Sequence, residues 1–318
     1  MDNLTHSLTG WALAETGLKR RTRKGLAASI LAANMPDIDV FFGWTPWAPL
    51  ATHRGFTHGL VGGVLLMPPI LAALLWLLDR CQLKRGANFK SGLPMRFGWL
   101  LTLCYLGALT HPLLDWQNTY AVQLLAPLSN RWFHNDALFI VDPWVIATLA
   151  LGIWLSRRKA PSGRPATVAL AFLCGYITLN GAISAAARVA PMRDSPYVTP
   201  DAAFASPAPL AFWRRDVVWR ARGATARGQY DPLRNLSGLL SYSKPEPTQL
   251  EDPLVRRAMT TDPSIISFLR WSVMTTAKVE TRGCRATVTF GDARFSESLG
   301  RRNFMQRTAV VDRCTGRR

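Results

Sequence analysis

Residues 59–78 read GLVGGVLLMPPILAALLWLL, a run without a charged side chain. At about 1.5 Å per residue such a helix matches the ~30 Å hydrocarbon core of a bilayer, so the run predicts a transmembrane helix. Further apolar stretches at 97–116, 137–156 and 166–187 predict three more spans, interrupted only by His111 and Asp115 in the first and Asp142 in the second. Residues 4–18 and 25–34 are apolar but too short to cross. They fit a shallow or re-entrant hairpin turning at the basic run KRRTRK, 19–24. The expected fold is an all-α polytopic membrane domain over 1–190, about four transmembrane helices plus the N-terminal short-helix hairpin, followed by an extramembrane α+β domain over 191–318.

Lys and Arg set the orientation. Five lie in the 19–24 turn, five in 79–96 and four in 157–165, against one each in 39–57 (Arg54) and 117–136 (Arg131). The basic connections therefore belong to the cytoplasmic side, and the segment after the fourth span to the opposite side. This topology absorbs 14 of the basic residues behind the net charge of +18. The tail retains 22 basic and 12 acidic residues without a dense run, which gives no strong nucleic-acid signal. Membrane lipid is the expected surrounding. Cys284 and Cys314, the only cysteines of the tail, fit a disulfide in an oxidising compartment.

All five histidines fall in the first 134 residues, each near an aspartate or another histidine. Residues 1–187 hold eight carboxylates, and five of them, Asp37, Asp39, Asp115, Asp136 and Asp142, share these clusters. Ionisable groups in apolar surroundings are costly unless paired, metal-bound or functional. The predicted topology brings His6, Asp37 and Asp39, His53 and His58, His111 and Asp115, and His134 with Asp136 and Asp142 to one membrane level.

His111 and Asp115 are spaced i,i+4, one helix face, although Pro112 suggests that His111 sits at a kink or cap. Asp37 and Asp39 follow Pro36 and are expected on irregular backbone, one ligating and one handling a water proton, or else capping a helix. Arg54 suits a phosphate or carboxylate, and equally a lipid headgroup. His53, His134, Asp136 and Asp142 are candidates for supporting the ligands or holding a second ion, with plain loop hydrogen bonding as the alternative for His134 and Asp136. Trp44, Trp47, Trp116, Tyr120, Trp132 and Trp144 read as an interfacial aromatic belt. The His/Asp mixture points to a divalent metal, zinc first and manganese second.

MDNLTHSLTG with His6, PDID ending at Asp39, HRGFTHG from His53 and HPLLD from His111 to Asp115 together resemble the YdjM-like family. That family is described as LexA-regulated, inner-membrane, metal-dependent hydrolases. More distantly, the order of these residues is similar to that of zinc-dependent phospholipases C and single-strand-specific zinc nucleases. The resemblance implies a hydrolase with His6, Asp37 or Asp39, His58, His111 and Asp115 as metal ligands, without naming a substrate. Only His134 with Asp136 or Asp142 remains to match the further ligands of those enzymes, so one or two ions are expected. The residues themselves suggest Asp37 or Asp39 to handle the proton and Arg54 the anionic substrate, expected to be a phosphoester of lipid or envelope origin at the periplasmic face. The alternative is a non-catalytic membrane protein with a structural metal.

In the tail, VVWRAR from Val217, TTAKVET from Thr275, RATVTF from Arg285 and QRTAVVD from Gln306 predict strands. Residues 251–272 predict one or two short helices, and VTPDAAFASPAPL from Val198 a linker.

Overall fold

The computed structural model describes residues 1–42, 53–158, 162–194, 199–295 and 306–314. The chain divides into two compact units, one of Met1–Asp39, Arg54–Ala182 and Pro209–Phe212, the other of Val40–His53, Ile183–Ala208 and Trp213–Arg318.

In the first unit, α1 (Asn3–Glu15) is capped by Asp2, which accepts from the Thr5 amide at 3.0 Å. A 3-10 turn, Leu18–Arg21, leads to α2 (Gly25–Asn34), so the short-helix hairpin forms with its turn in the basic run. A 3-10 helix, Met35–Phe42, follows directly and holds both Asp37 and Asp39, where irregular backbone was expected. The apolar run begins as π-type turns, Leu60–Leu66, and continues as α3 (Met67–Lys84). Then come α4 (Phe97–Asp115), α5 (Pro143–Arg157) and α6 (Arg164–Asp194).

Three stretches among the described residues are long and apolar enough to cross a membrane: Leu60–Lys84, Phe97–Asp115 and Arg164–Asp194. The remaining expected span, 137–156, starts late. Asp142 caps α5 by accepting from the Trp144 and Val145 amides, and Pro143 occupies the first helical position. Its 15 residues reach about 22 Å, short of a ~30 Å core.

Small side chains set the approach of the hairpin to α4. Ala28 and Ala32 of α2 share a buried cluster with Leu100, Leu103, Cys104 and Ala108 of α4 and with Leu71 and Leu75 of α3. At Gly107 a Cβ would lie 2.6 Å from the Ser29 carbonyl oxygen and 2.9 Å from the Ala32 Cβ. Such close backbone contact needs a residue without a side chain. Gly107, His111 and Asp115 recur every fourth position, on one face, so this contact also sets where the histidine and aspartate stand. Gly107→Val is expected to cost roughly 1–3 kcal/mol or more by overpacking and to lower bound metal in the same sample. A variant with full metal content would show that this contact does not position the site.

The basic connections gather at the end of the helices opposite Asp115. Arg23 of the hairpin turn pairs with buried Asp79 of α3 at 2.8 Å, and its amide donates to the Pro94 carbonyl in the α3–α4 connection. Arg157, at the end of α5, lies 3.7 Å from Glu15 and over the Trp11 ring. Arg21 lies over Trp99.

The second unit holds two antiparallel sheets. β1 (Ala202–Pro207), β2 (Arg215–Ala221) and β3 (Ala224–Tyr230) lie in order, with β4 (Ser241–Tyr242) and β5 (Glu246–Pro247) both on β3. β6 (Thr275–Arg282), β7 (Arg285–Asp292) and β8 (Gln306–Asp312) form a meander. Helices α7 (Pro253–Ala258) and α8 (Pro263–Trp271) precede it. The expected linker thus contains β1, which occupies a sheet edge where Pro207 costs no ladder bond. The core joins Val217, Trp219, Tyr230 and Leu239 to Ala187 and Ala190. Cys284 and Cys314 form a disulfide, with Cα atoms 5.2 Å apart.

Asp292 closes β7 and is buried against Arg294, with Arg294 Nε and Nη2 each donating to it at 2.8 Å and Ser272 Oγ at 2.7 Å. Burial opposes its charge, but Arg294 and these donors outweigh burial and hold its pKa below the ordinary carboxylate value. A depressed folded-state pKa gives stability that is present above the unfolded value of about 3.9 and lost as pH falls through the folded one. Thermal unfolding midpoints measured on acidification should therefore fall in that window. Asp292→Asn should be less stable at neutral pH and flatter with pH; an unchanged acid slope would exclude the pair as its source.

Candidate metal centre

Five side chains from four segments of the first unit meet at one point. α1 supplies His6, the 3-10 helix after α2 supplies Asp37, a single 3-10 turn Phe56–His58 supplies His58, and the last turn of α4 supplies His111 and Asp115. His6, His58, His111 and Asp115 are fully buried, and Asp37 is nearly so. Two overlapping groups, His6–His111–Asp115 and Asp37–His58–His111, each place their donor atoms within 4.8 Å of one another.

Local structure explains the placement. α4 continues through Pro112, so His111 lies inside the helix rather than at a cap, and the Trp116 amide donates to the Pro112 carbonyl to complete the turn. The His58 turn folds back onto the π-type start of the apolar run. At Gly62 a Cβ would lie 2.1 Å from the Phe56 carbonyl oxygen, so only glycine admits this return.

The spacing decides what the cluster can hold. His58 Nε2 lies 3.2 Å from Asp37 Oδ1 and 3.4 Å from Asp115 Oδ2, while His111 Nε2 lies 3.4 and 3.5 Å from the same two atoms. Bonds of about 2.0–2.1 Å to a tetrahedral ion give donor separations near 3.3–3.4 Å. The four donors thus show four of the six edges of a zinc-sized tetrahedron. His6 stacks on His111 with ring centroids 3.8 Å apart, and its Nε2 lies 3.4 Å from the other carboxylate oxygen, Asp115 Oδ1. The Met1 terminal ammonium also donates to Asp115 Oδ1.

The hydrogen bonds behind the donors fix their orientation. His111 Nδ1 lies 2.7 Å from the Ala33 carbonyl oxygen. A carbonyl only accepts, so Nδ1 carries the proton and Nε2 presents its lone pair to the cluster. His58 turns Nδ1 toward Asp39 Oδ2 at 3.4 Å, and Asp39 Oδ2 also accepts from Thr57 Oγ1 at 2.7 Å and the Arg54 amide at 3.3 Å. One imidazole thus separates the two aspartates, with Asp37 on the donor side and Asp39 behind it.

Both ring nitrogens of His6, His111 Nε2 and Asp115 Oδ2 are buried and lack a hydrogen-bond partner among the described residues. Buried polar atoms are seldom left so, and a set of them facing one point fits a cation. Burial, then the neighbouring His111, pushes the His6 pKa down to about 3, so its ring is a neutral donor. Burial resists charging of His58, but its bonds to Asp37 and Asp39 outweigh this and raise its pKa. Burial opposes the charge on Asp37, yet His111 and His58 hold its carboxyl well below the usual range.

Arg54 borders the cluster. It is buried, its backbone is left-handed (φ 63°), and its guanidinium lies over the Tyr120 ring at 4.5 Å. Nε lies 3.3 Å from Asp115 Oδ2, and Nη1 donates to Asn118 Oδ1 at 2.8 Å. Tyr120, expected in an aromatic belt, is buried here as a platform for Arg54. Trp44 and Trp47 lie outside the described residues. Asn118 carried no signal in the sequence beyond its position three residues after Asp115.

His134, Asp136 and Asp142 do not join these five. Asp142 is the cap of α5 and accepts from the Tyr176 hydroxyl at 3.4 Å. His134 Nδ1 pairs with buried Asp136 Oδ1 at 3.0 Å. His53 is half-buried and belongs to the second unit.

A family model described as YdjM inner membrane protein matches residues 1–187. The match covers more than half of the chain and every residue of the cluster, and the chain belongs to this family. No curated protein and no solved structure matches.

Proposed function

We propose that this member of the YdjM inner membrane protein family is a metal-dependent hydrolase that cleaves a phosphoester of a lipid or another envelope molecule at the periplasmic face. The observation that carries the reading is the buried cluster of imidazole and carboxylate donors at zinc-like spacing, of which His111 Nε2 and Asp115 Oδ2 have no hydrogen-bond partner among the described residues, with a buried guanidinium 3.3 Å from Asp115 Oδ2. Acceptors alone ask for a cation; the adjoining Arg54 asks for an anion as well.

His58, His111, Asp37 and Asp115 would hold the ion, with zinc favoured by the imidazoles and manganese admitted by the carboxylates. His6 and Asp115 Oδ1 leave room for one or two ions. When bound, such an ion polarises a phosphoryl oxygen and lowers the pKa of its water toward about 7. Arg54 orients the anionic substrate. Asp37, whose side chain is the least buried of the cluster carboxylates and whose engaged oxygen among the described residues is Oδ1, takes the proton of the attacking water. Asp39 keeps His58 in register.

The periplasmic assignment is supported by the basic connections, which meet at one end of the helices while the cluster lies at the other. The disulfide of the second unit fits the same side.

One observation favours a second reading. Four protein donors at tetrahedral spacing can close a coordination shell, as structural zinc sites do. The two readings separate in an assay of purified, metal-loaded protein against phospholipid, lipid-phosphate and nucleotide phosphoesters, with a chelated control. Turnover that disappears with the metal supports the hydrolase; bound metal without turnover on any of them supports the structural site.

A further inference from the structure

We infer that Asn118 Nδ2 and the Arg54 guanidinium form a pocket for a phosphoryl oxyanion beside the metal-binding donors, which makes Asn118 a substrate-binding residue. The inference deepens the hydrolase reading and rests on it for the identity of the substrate, while the pocket itself is argued from donors present in the chain.

Asn118 lies one turn beyond Asp115, where its amide donates to the Asp115 carbonyl at 3.3 Å. It is 2% exposed. Its side-chain oxygen accepts twice, from Arg54 Nη1 at 2.8 Å and from the Tyr120 amide at 2.9 Å. Both partners are donors, which fixes the orientation of the amide group: the oxygen must face them and the nitrogen must point elsewhere. That nitrogen, Nδ2, is buried and has no acceptor among the described residues. Arg54 Nε is in the same condition, 3.3 Å from Asp115 Oδ2 but without a hydrogen bond.

Asn118 Nδ2 and Arg54 Nε are thus buried N–H groups without a hydrogen-bond acceptor among the described residues, on two residues joined by the Nη1–Oδ1 bond, and Nε is ion-paired to Asp115 Oδ2 at the edge of the metal-binding donors. A cation at those donors leaves the two N–H groups unanswered. They need lone pairs, and a group that presents oxygens both to a metal and to an arginine–amide pair is a tetrahedral oxyanion. Arg54 is held for this task, with its backbone in the left-handed region, its amide on Asp39, its carbonyl accepting from the Gln123 amide at 2.9 Å and its guanidinium over Tyr120. Residues held in such sparsely populated conformations cluster at ligand clamps.

The test uses full-length protein in detergent, loaded with Zn²⁺, and reads metal content and the affinity for inorganic phosphate by calorimetric titration. Asn118→Asp keeps an acceptor for Arg54 and the Tyr120 amide, removes the donor and adds a negative charge; Asn118→Ala removes donor and acceptor without adding charge. Both are expected to keep their metal and to bind phosphate about ten- to a hundred-fold more weakly, the loss of one hydrogen bond to a charged group. Wild-type affinity in the Asp variant overturns the inference, as does a loss confined to Asp while a folded Ala variant binds normally, since that would be charge repulsion alone. If the Ala variant fails to fold, Asn118→Leu, of similar volume and without charge, takes its place in that comparison. Metal-loaded wild type that binds no phosphate also overturns it and leaves the metal site standing. Wild type that takes up no metal overturns the hydrolase reading, while the same phosphate titration still judges the donors. Competition between a short-chain phosphatidic acid and free phosphate tells the source: tighter binding of the lipid assigns a headgroup and tighter binding of phosphate the free ion, and either supports the pocket.

Discussion

His111→Ala is expected to leave the purified protein without metal and without metal-dependent turnover. His111 is shared by the His6–His111–Asp115 and Asp37–His58–His111 groups, and its Nε2 lies 3.4 Å from Asp37 Oδ1 and 3.5 Å from Asp115 Oδ2. Binding free energies of about 10–16 kcal/mol for four-ligand zinc sites put one ligand near 3 kcal/mol, or roughly a hundred-fold in affinity. The real loss should exceed this, because the Ala33 carbonyl loses its donor and the stacked His6 ring loses its neighbour. The cost appears in stability too, so metal content must be read on protein shown to be folded. His111→Gln, which keeps a polar side chain of similar reach, separates the effects: it should recover much of the stability and little of the metal. Wild-type stoichiometry and affinity in folded His111→Ala would remove the metal centre.

Why these residues were legible in the sequence, and others not, follows from their surroundings. His6, Asp37, Asp39, His58, His111 and Asp115 are ionisable groups in apolar sequence, where an unpaired charge is costly enough to advertise a purpose. Their division of labour was not legible. Asp37 and Asp39 are two residues apart and chemically alike, and only the two faces of the His58 ring separate them. Asn118 lies in a polar turn, Gln117 to Thr119, where an amide attracts no notice until its nitrogen is found buried without an acceptor. Asp142 was grouped with the site, yet among the described residues Asp-Pro begins a helix at 142–143, 252–253 and 262–263, each aspartate capping the helix behind it, while Asp231–Pro232 opens a turn. The Asp-Pro pair was available in the sequence as a sign of the cap and of the late start of α5. Of the tail, the β-branched strands β2, β6, β7 and β8 were legible; β1 was not, because AAFASP has small residues where the pattern needs large ones.

Asp37→Asn and Asp39→Asn should fail in different ways. Asparagine at 37 still offers an oxygen toward His58 and His111 but cannot take a proton, so the folded variant should retain metal and lose about 10²–10⁴-fold in turnover, the usual contribution of a positioned base. Asp39 acts through His58: its carboxylate receives the ring from the Nδ1 side and is itself held by Thr57 and the Arg54 amide. Replacing such a partner typically costs 10–100-fold in metal affinity, so Asp39→Asn should need more metal for activity and approach wild-type turnover once saturated. Titrating each variant with Zn²⁺ while following turnover distinguishes the cases, since one curve keeps its midpoint and loses its plateau while the other shifts its midpoint and keeps its plateau. If both variants lose metal and stability in parallel, and no metal-replete inactive form exists, the aspartates serve only to hold an ion, and the structural reading replaces the hydrolase.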